Sequence, residues 1–232
     1  GLRCIFNVES NLLNNMPYDE VFRRGIHVVT TGAVFAEPVA EIGLGFALSL
    51  LRDIHGADAA FRSGREAWGG EGNGGARLLT GATVGIIGFG DLGRALARVL
   101  AGFRVRLMVH DPWLPAARIA EVGGVATGLD DLLAGSEVVF VTAAVTSENR
   151  AFLGPEAFAR MRPGAAFILL SRADVVDFDA LMRAVGSGHL RAATDVWPEE
   201  PLPATHPARS LPGLLMSAHR AGALDIAFRR MG

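Results

Sequence analysis

Val84-Gly85-Ile86-Ile87-Gly88-Phe89-Gly90-Asp91-Leu92-Gly93 decides how this chain of 232 residues is read. An apolar strand runs into GxGxxG, and Leu92, Leu96, Val99 and Leu100 then repeat at helical spacing. GxGxxG alone is a weak pattern; between a strand and a helix it acquires a mechanism. Gly88 makes the tight turn, Gly90 admits a pyrophosphate, and Gly93 packs helix against strand. The phosphates rest on backbone N–H groups at the helix start, which brings in Asp91 and Leu92. The next strand ends at Val109-His110-Asp111, and Asp111 lies 18 positions past Gly93 (111 minus 93). That is close to the roughly 20 expected for the acid that binds a ribose 2′-hydroxyl. A carboxylate there repels a 2′-phosphate, so the expected cofactor is NAD rather than NADP. The bland alternative is a glycine turn with an Asp that only caps Pro112 and the next helix.

Outward from this motif, strand-like and helix-like segments alternate. Strands fit Thr83–Ile87, Val105–Val109, Val138–Thr142, Ala166–Leu170, Ala192–Val196 and Leu214–Ser217; helices fit Leu92–Leu100, Ala116–Glu121, Leu129–Leu133, Pro155–Met161 and Phe178–Val185. Short continuous apolar strands are what a parallel sheet covered on both faces requires. The fold class is therefore α/β, a doubly wound parallel sheet of the Rossmann type. Upstream, Arg3–Asn7 and Ile26–Val29 read as short strands. From Pro38 to about Arg62 the pattern is helical, with Val39, Ile42, Phe46, Leu50 and Ile54 on one face and Leu44, Leu48 and Leu51 on others. A helix apolar nearly all round is buried in the chain or pairs with another subunit. The glycine-rich stretch from Gly69 to Gly75 separates it from the motif.

Composition narrows the function. Lys plus Arg (22) against Asp plus Glu (24) leaves a net charge of -2, which argues against a broad electrostatic grip on nucleic acid or anionic lipid. The partner expected is a small molecule. Cys4, the single cysteine, forms no internal disulfide and suits a reducing compartment. The longest uncharged apolar run, Ile42 to Leu51, falls well short of the roughly 18 residues of a membrane span, and no signal-peptide pattern opens the chain. A soluble cytosolic protein is expected. The six His and one Cys show no metal-ligand spacing. Glycine is the outlier, at 29 residues where average usage gives roughly 16, so many backbone positions are tight or closely approached.

Three polar residues follow apolar strand ends, where open α/β sheets place their ligands: Arg172, Glu200 and His219. Each alone has an ordinary explanation as a surface ion pair, a solvated turn acid or a structural histidine. Together they offer what alcohol-to-ketone hydride transfer needs: a cation for an anionic substrate, a base for the hydroxyl proton and an acid to partner the base.

With these residues in hand, the chain from about Arg3 to Ala223 resembles the D-isomer-specific 2-hydroxyacid dehydrogenases, a family that includes phosphoglycerate, glyoxylate/hydroxypyruvate and D-lactate dehydrogenases. The matching stretches include Arg24-Gly25-Ile26, Val39-Ala40-Glu41, Trp68, Leu79-Thr80-Gly81, Met161-Arg162-Pro163-Gly164-Ala165, Ser171-Arg172, Val176-Asp177, Asp195-Val196-Trp197-Pro198-Glu199-Glu200-Pro201 and His219-Arg220-Ala221-Gly222. The resemblance implies that Arg172 holds the substrate carboxylate and carbonyl oxygen, His219 exchanges the proton at C2, Glu200 bonds the His, and Asp195 contacts the nicotinamide carboxamide. It implies a partial, discontinuous substrate domain (1–34, with a return at 219–232) around a dinucleotide-binding domain (35–218). A homodimer is expected from the helix after Pro38. Relatives carry a longer N-terminal portion, so the expectation is a piece of a longer chain, with side-chain selectivity decided in the part not present.

Several positions depart from the family pattern. Ala173 stands where Gly usually follows the arginine, Ala144-Val145-Thr146 where relatives carry a Pro-Leu-Thr turn, and Phe35 where Asn is common. The segment Asn7–Leu13 replaces a glycine-rich turn that binds the substrate carboxylate, and its Glu9 is an odd neighbour for an anion. The competing reading is an NAD(H)-binding regulatory protein resembling the C-terminal-binding corepressors, which keep the same Arg, Glu and His without significant turnover. A formate dehydrogenase is disfavoured because that branch is expected to carry glutamine at the position of Glu200.

Overall fold

The computed structural model describes residues 1–7, 15–146 and 148–230. Glu9, and with it the atypical Asn7–Leu13 segment beyond Asn7, lies outside the described residues. The described residues form two parallel sheets. The smaller pairs β1 (Cys4–Asn7) with β2 (His27–Thr30), joined through α1 (Tyr18–Arg23). The Tyr18 hydroxyl donates to Asn15 Oδ1 (2.7 Å) and accepts from Asn7 Nδ2 (2.9 Å), so one phenol ties the end of β1 to the start of α1.

The larger sheet contains β3 (Thr83–Ile87), β4 (Arg106–His110), β5 (Val125–Ala126), β6 (Val138–Val141), β7 (Ala165–Leu169), β8 (Leu190–Thr194) and β9 (Leu214–Met216). Their order is β5-β4-β3-β6-β7-β8-β9, every neighbouring pair parallel. Alternation within strands explains the unbroken apolar runs. Val139, Val141, Phe167 and Leu169 enter one core, while Val138, Phe140, Ala166 and Ile168 enter the other on the opposite face. Both faces are covered by helices, so the strands are apolar nearly throughout.

The helices are α2 (Gly32–Arg52), α3 (Ile54–Arg62), α4 (Asp91–Leu100), α5 (Ala116–Ala120), α6 (Leu129–Gly135), α7 (Pro155–Arg160), α8 (Phe178–Gly186) and α9 (Asp225–Arg229). The single helix expected from Pro38 to Arg62 is two helices, and it begins earlier. Pro38 lies inside α2, and Asp53, at φ +49°, breaks the run in the left-handed region, where a right-handed helix cannot continue. The buried face also differs from the expected one. Ala36, Ala40 and Ala47 join Phe46, Leu50 and Leu51 in the interior, whereas Ile54 is exposed, because small residues let α2 lie close against α4 and the sheet. By length and composition α2 passes as a membrane span; its packing on α4, β7 and β8 is that of a core helix.

Candidate functional site

The carboxyl ends of the larger sheet open onto a cleft of about 850 Å³. Strand order reverses between β3 and β6, the place where an open parallel sheet leaves a crevice for ligand. Gly88 sits at that reversal with φ +87°, and a Cβ added there would lie 2.5 Å from both the Cα and the N of Ala143. Conformation and close approach of the loops after β3 and β6 both require glycine. At Gly93 a Cβ would lie 2.5 Å from the Gly88 carbonyl oxygen, so this glycine packs the helix on the turn.

Gly90 is different. Its φ of -70° is ordinary, and no described atom lies within 4 Å of an added Cβ. No described atom calls for glycine at 90. The open space beside its backbone would admit a dinucleotide pyrophosphate at close range. Asp91 and Leu92 open α4, whose first N–H groups face the same space. The Asp91 carboxylate pairs with Arg94 at 3.2 Å, so the acid does not meet phosphate uncompensated. These residues fit NAD.

Asp111 lines the cleft at the end of β4. Phe89 N–H donates to its Oδ2 (2.7 Å) and Trp113 N–H to its Oδ1 (3.0 Å). The carboxylate thus ties the glycine loop to β4 and caps the following turn. A carboxylate offers about four lone-pair directions, and two are used, which leaves capacity for a ribose hydroxyl.

Of the three expected catalytic residues, Glu200 and His219 meet directly, and Arg172 and His219 line the same cleft. Arg172 follows β7 in extended backbone, its Nη1 donating to the Ser171 carbonyl at 2.8 Å. Ala173 after it does not occupy the left-handed region, so the methyl group in place of the family's glycine causes no backbone strain here. Glu200 accepts from Trp197 N–H through Oε1 (2.9 Å) and meets His219 Nδ1 through Oε2 (2.6 Å). An ionised carboxylate only accepts, so Nδ1 carries the hydrogen and Nε2 is the nitrogen left for exchange. The Trp197 indole in turn donates to the Ser217 carbonyl at 2.8 Å, holding the Glu200 turn against the segment that leads to His219.

Asp195 has a task the residue pattern did not reveal. His219 has φ +47°, a conformation that costs a non-glycine residue about 1–3 kcal/mol unless its surroundings fix it. Asp195 fixes it three times: its carbonyl accepts His219 N–H (2.7 Å), Oδ1 accepts Arg220 N–H (3.1 Å), and Oδ2 accepts Ala221 N–H (3.0 Å). The residue is 2 % exposed yet still part of the cleft wall. Its carboxylate is therefore a clasp for the His219 turn. Thr142, Trp113, Phe35 and Phe228 also line the cleft. Of these, Phe35 stood out in the sequence as a departure from the family pattern; the others are recognisable once the loops are in place. Among the described residues, no group of three or more His, Cys, Asp or Glu side chains could hold a metal.

Residues 44–221 match the model of the D-isomer specific 2-hydroxyacid dehydrogenase, NAD binding domain. The chain is 34% identical over 190 residues to a D-3-phosphoglycerate dehydrogenase from Mycobacterium bovis, covering 82% of this chain and 35% of that protein. It is 33% identical over 218 residues to a glyoxylate reductase from Thermofilum pendens, covering 91% and 63%. The chain thus spans between about a third and two thirds of the length of these relatives. A crystal structure of a phosphoglycerate oxidoreductase from Rhizobium etli superposes with a TM-score of 0.90 at 66% identity, covering 99% of this chain and 74% of that one. Glycine loop, parallel sheet order and the matched span agree, and the chain belongs to the D-isomer-specific 2-hydroxyacid dehydrogenase family through its NAD-binding domain.

Proposed function

We propose that the whole protein is a cytosolic NAD-dependent D-2-hydroxyacid dehydrogenase that interconverts a small 2-hydroxy acid and its 2-keto acid. The observation that carries this reading is a His219–Glu200 pair at 2.6 Å in the same cleft as Arg172 and the glycine loop. Bound NADH supplies the hydride for the keto carbon, and NAD accepts it in reverse. Arg172 presents a planar guanidinium fork to the substrate carboxylate and carbonyl oxygen, a geometry Lys does not reproduce. His219, its Nδ1 held by Glu200, donates the proton from Nε2 to the developing alkoxide and recovers it in oxidation. Residues 1–34 and 219–232 belong on this reading to the substrate domain, and 35–218 carry the cofactor. The binding-only alternative is not favoured, since the similar proteins bear dehydrogenase and reductase names.

The test is a panel of 2-keto acids, glyoxylate and hydroxypyruvate among them, against NADH and NADPH. The expected result is steady NADH oxidation with at least one acid and a preference for NADH of about tenfold or more, equivalent to about 1.4 kcal/mol. Equal rates with both cofactors refute the role given to Asp111. Tight NADH binding with no oxidation by any acid refutes the enzyme reading.

The homodimer expected from the long helix is better supported by its neighbour. α2 packs within the chain, whereas α3 buries no residue and leaves Ile54 and Phe61 exposed, with Phe61 in edge contact with the exposed Trp68 at 6.2 Å. A face of this kind on a soluble protein marks an interaction site, and a second copy of the chain is the proposed partner. Sedimentation is expected to give a dimer and Phe61→Asp a monomer; a monomeric parent removes the proposal.

A further inference from the structure

Beyond the reaction class, and resting on that reading of the cleft, the structure points to Phe35 as a determinant of substrate side-chain choice. The Phe35 ring lies against the chain just past the imidazole: a Cβ built on Gly222, three residues after His219, would be 3.0 Å from Phe35 Cδ1. It also meets Phe228 of α9 nearly edge-on, with ring centroids 6.5 Å apart and planes at 79°. An ion pair between Glu37 and Arg230 at 3.0 Å holds α2 and α9 together and keeps the two rings in register. Phe35, Phe228, Gly222, Arg172 and His219 all line the one cleft.

The geometry divides the labour at this end of the cleft. Arg172 and His219 are committed to the carboxylate and the C2 oxygen, so the remaining substituent on C2 is left to the other walls. Among the described residues, what α2, the 219–223 segment and α9 contribute to the lining is carbon, from Phe35, Val39, Gly222, Ala223 and Phe228, with Thr30 the nearby polar group at the end of β2. Of the cleft's other basic groups, Arg94 and His110 stand with the glycine loop and the end of β4. Carbon walls favour burial of methyl and methylene groups and leave a hydroxyl or phosphate without partners. We infer that Phe35 selects 2-keto acids with an apolar substituent of several carbons over hydroxypyruvate and its phosphate ester.

The test compares 4-methyl-2-oxopentanoate with hydroxypyruvate in the full-length protein, for the parent, Phe35→Leu and Phe35→Asn. The ratio of kcat/KM is expected to favour the branched acid by about tenfold or more in the parent, to persist in Phe35→Leu, and to fall by about tenfold in Phe35→Asn. Calorimetry with NADH present, using oxamate and N-isobutyloxamate as unreactive analogues, should give the same order of affinities without turnover. A parent that prefers hydroxypyruvate or its phosphate ester, or a ratio unchanged in Phe35→Asn, overturns the inference while leaving the dehydrogenase intact. Absence of NADH oxidation with every acid overturns both. The parent's own ratio and the Leu variant keep the test decisive should the Asn variant fold poorly.

Discussion

His219→Ala is expected to lower turnover with any accepted 2-keto acid by about 10²–10⁴-fold, the range for loss of a positioned general acid, while NADH affinity by fluorescence titration changes by less than about threefold. The separation follows from the site's layout. The imidazole reaches Glu200 through Nδ1, whereas the glycine loop, Asp111 and the start of α4 make no hydrogen bond to it. Arg172→Ala should likewise cost turnover by orders of magnitude, with a steep rise in KM because the carboxylate loses its anchor, and Arg172→Lys should recover little of it. Glu200→Gln keeps a hydrogen-bonding partner for Nδ1, so its deficit should be smaller than that of His219→Ala. Loss of NADH binding together with turnover in His219→Ala would count against the assigned role, since a proton donor is not needed to hold a dinucleotide.

The second large effect separates two glycines of one motif. Gly88→Ala forces φ near +87° on a residue with a side chain and drives its methyl into the backbone of Ala143. Strain of that kind costs about 1–3 kcal/mol before any clash is counted. Both thermal stability and NADH affinity should fall, the affinity by more than about a hundredfold. Gly90→Ala places a methyl where no described atom stands within 4 Å. It should leave the melting temperature within about 2 °C, the shift that a change under 1 kcal/mol gives a chain of this size, yet reduce NADH affinity as severely. Equal loss of stability in both variants would mean that Gly90 answers to the fold. Unchanged NADH affinity in Gly90→Ala would mean that nothing presses on that backbone, and the cofactor's position would have to be redrawn.

What could be read from residues alone was mostly local. β3, its glycine turn and α4 are contiguous, and each apolar strand of the larger sheet declares itself because both faces are covered; Thr83–Ile87 is matched at both ends. α1, β5 and α9 escaped because they are short and bury little: Val21 is the buried residue of α1, Ala227 that of α9, and β5 has two exposed residues. The break at Asp53 was hidden because apolar spacing continues across it into α3, whose apolar residues face outward. The acid at 111, the arginine and the His–Glu pair were legible through their places after strand ends. The aromatic wall was not, since Glu37 and Arg230, which hold its two helices together, lie 193 positions apart. Nor was the clasp of Asp195, which exists only after the chain from β9 has turned back across β8.

That clasp has a consequence for how the imidazole works through a cycle. Two acids serve His219, and they hold different parts of it: Glu200 the ring, Asp195 the peptide frame. Gaining or losing a proton alters the ring's bond to its own acid and leaves the three backbone bonds of the other untouched. On the proposed reaction, the histidine would change charge at every turnover while its left-handed backbone stays put, and the proton would leave each time from the same place.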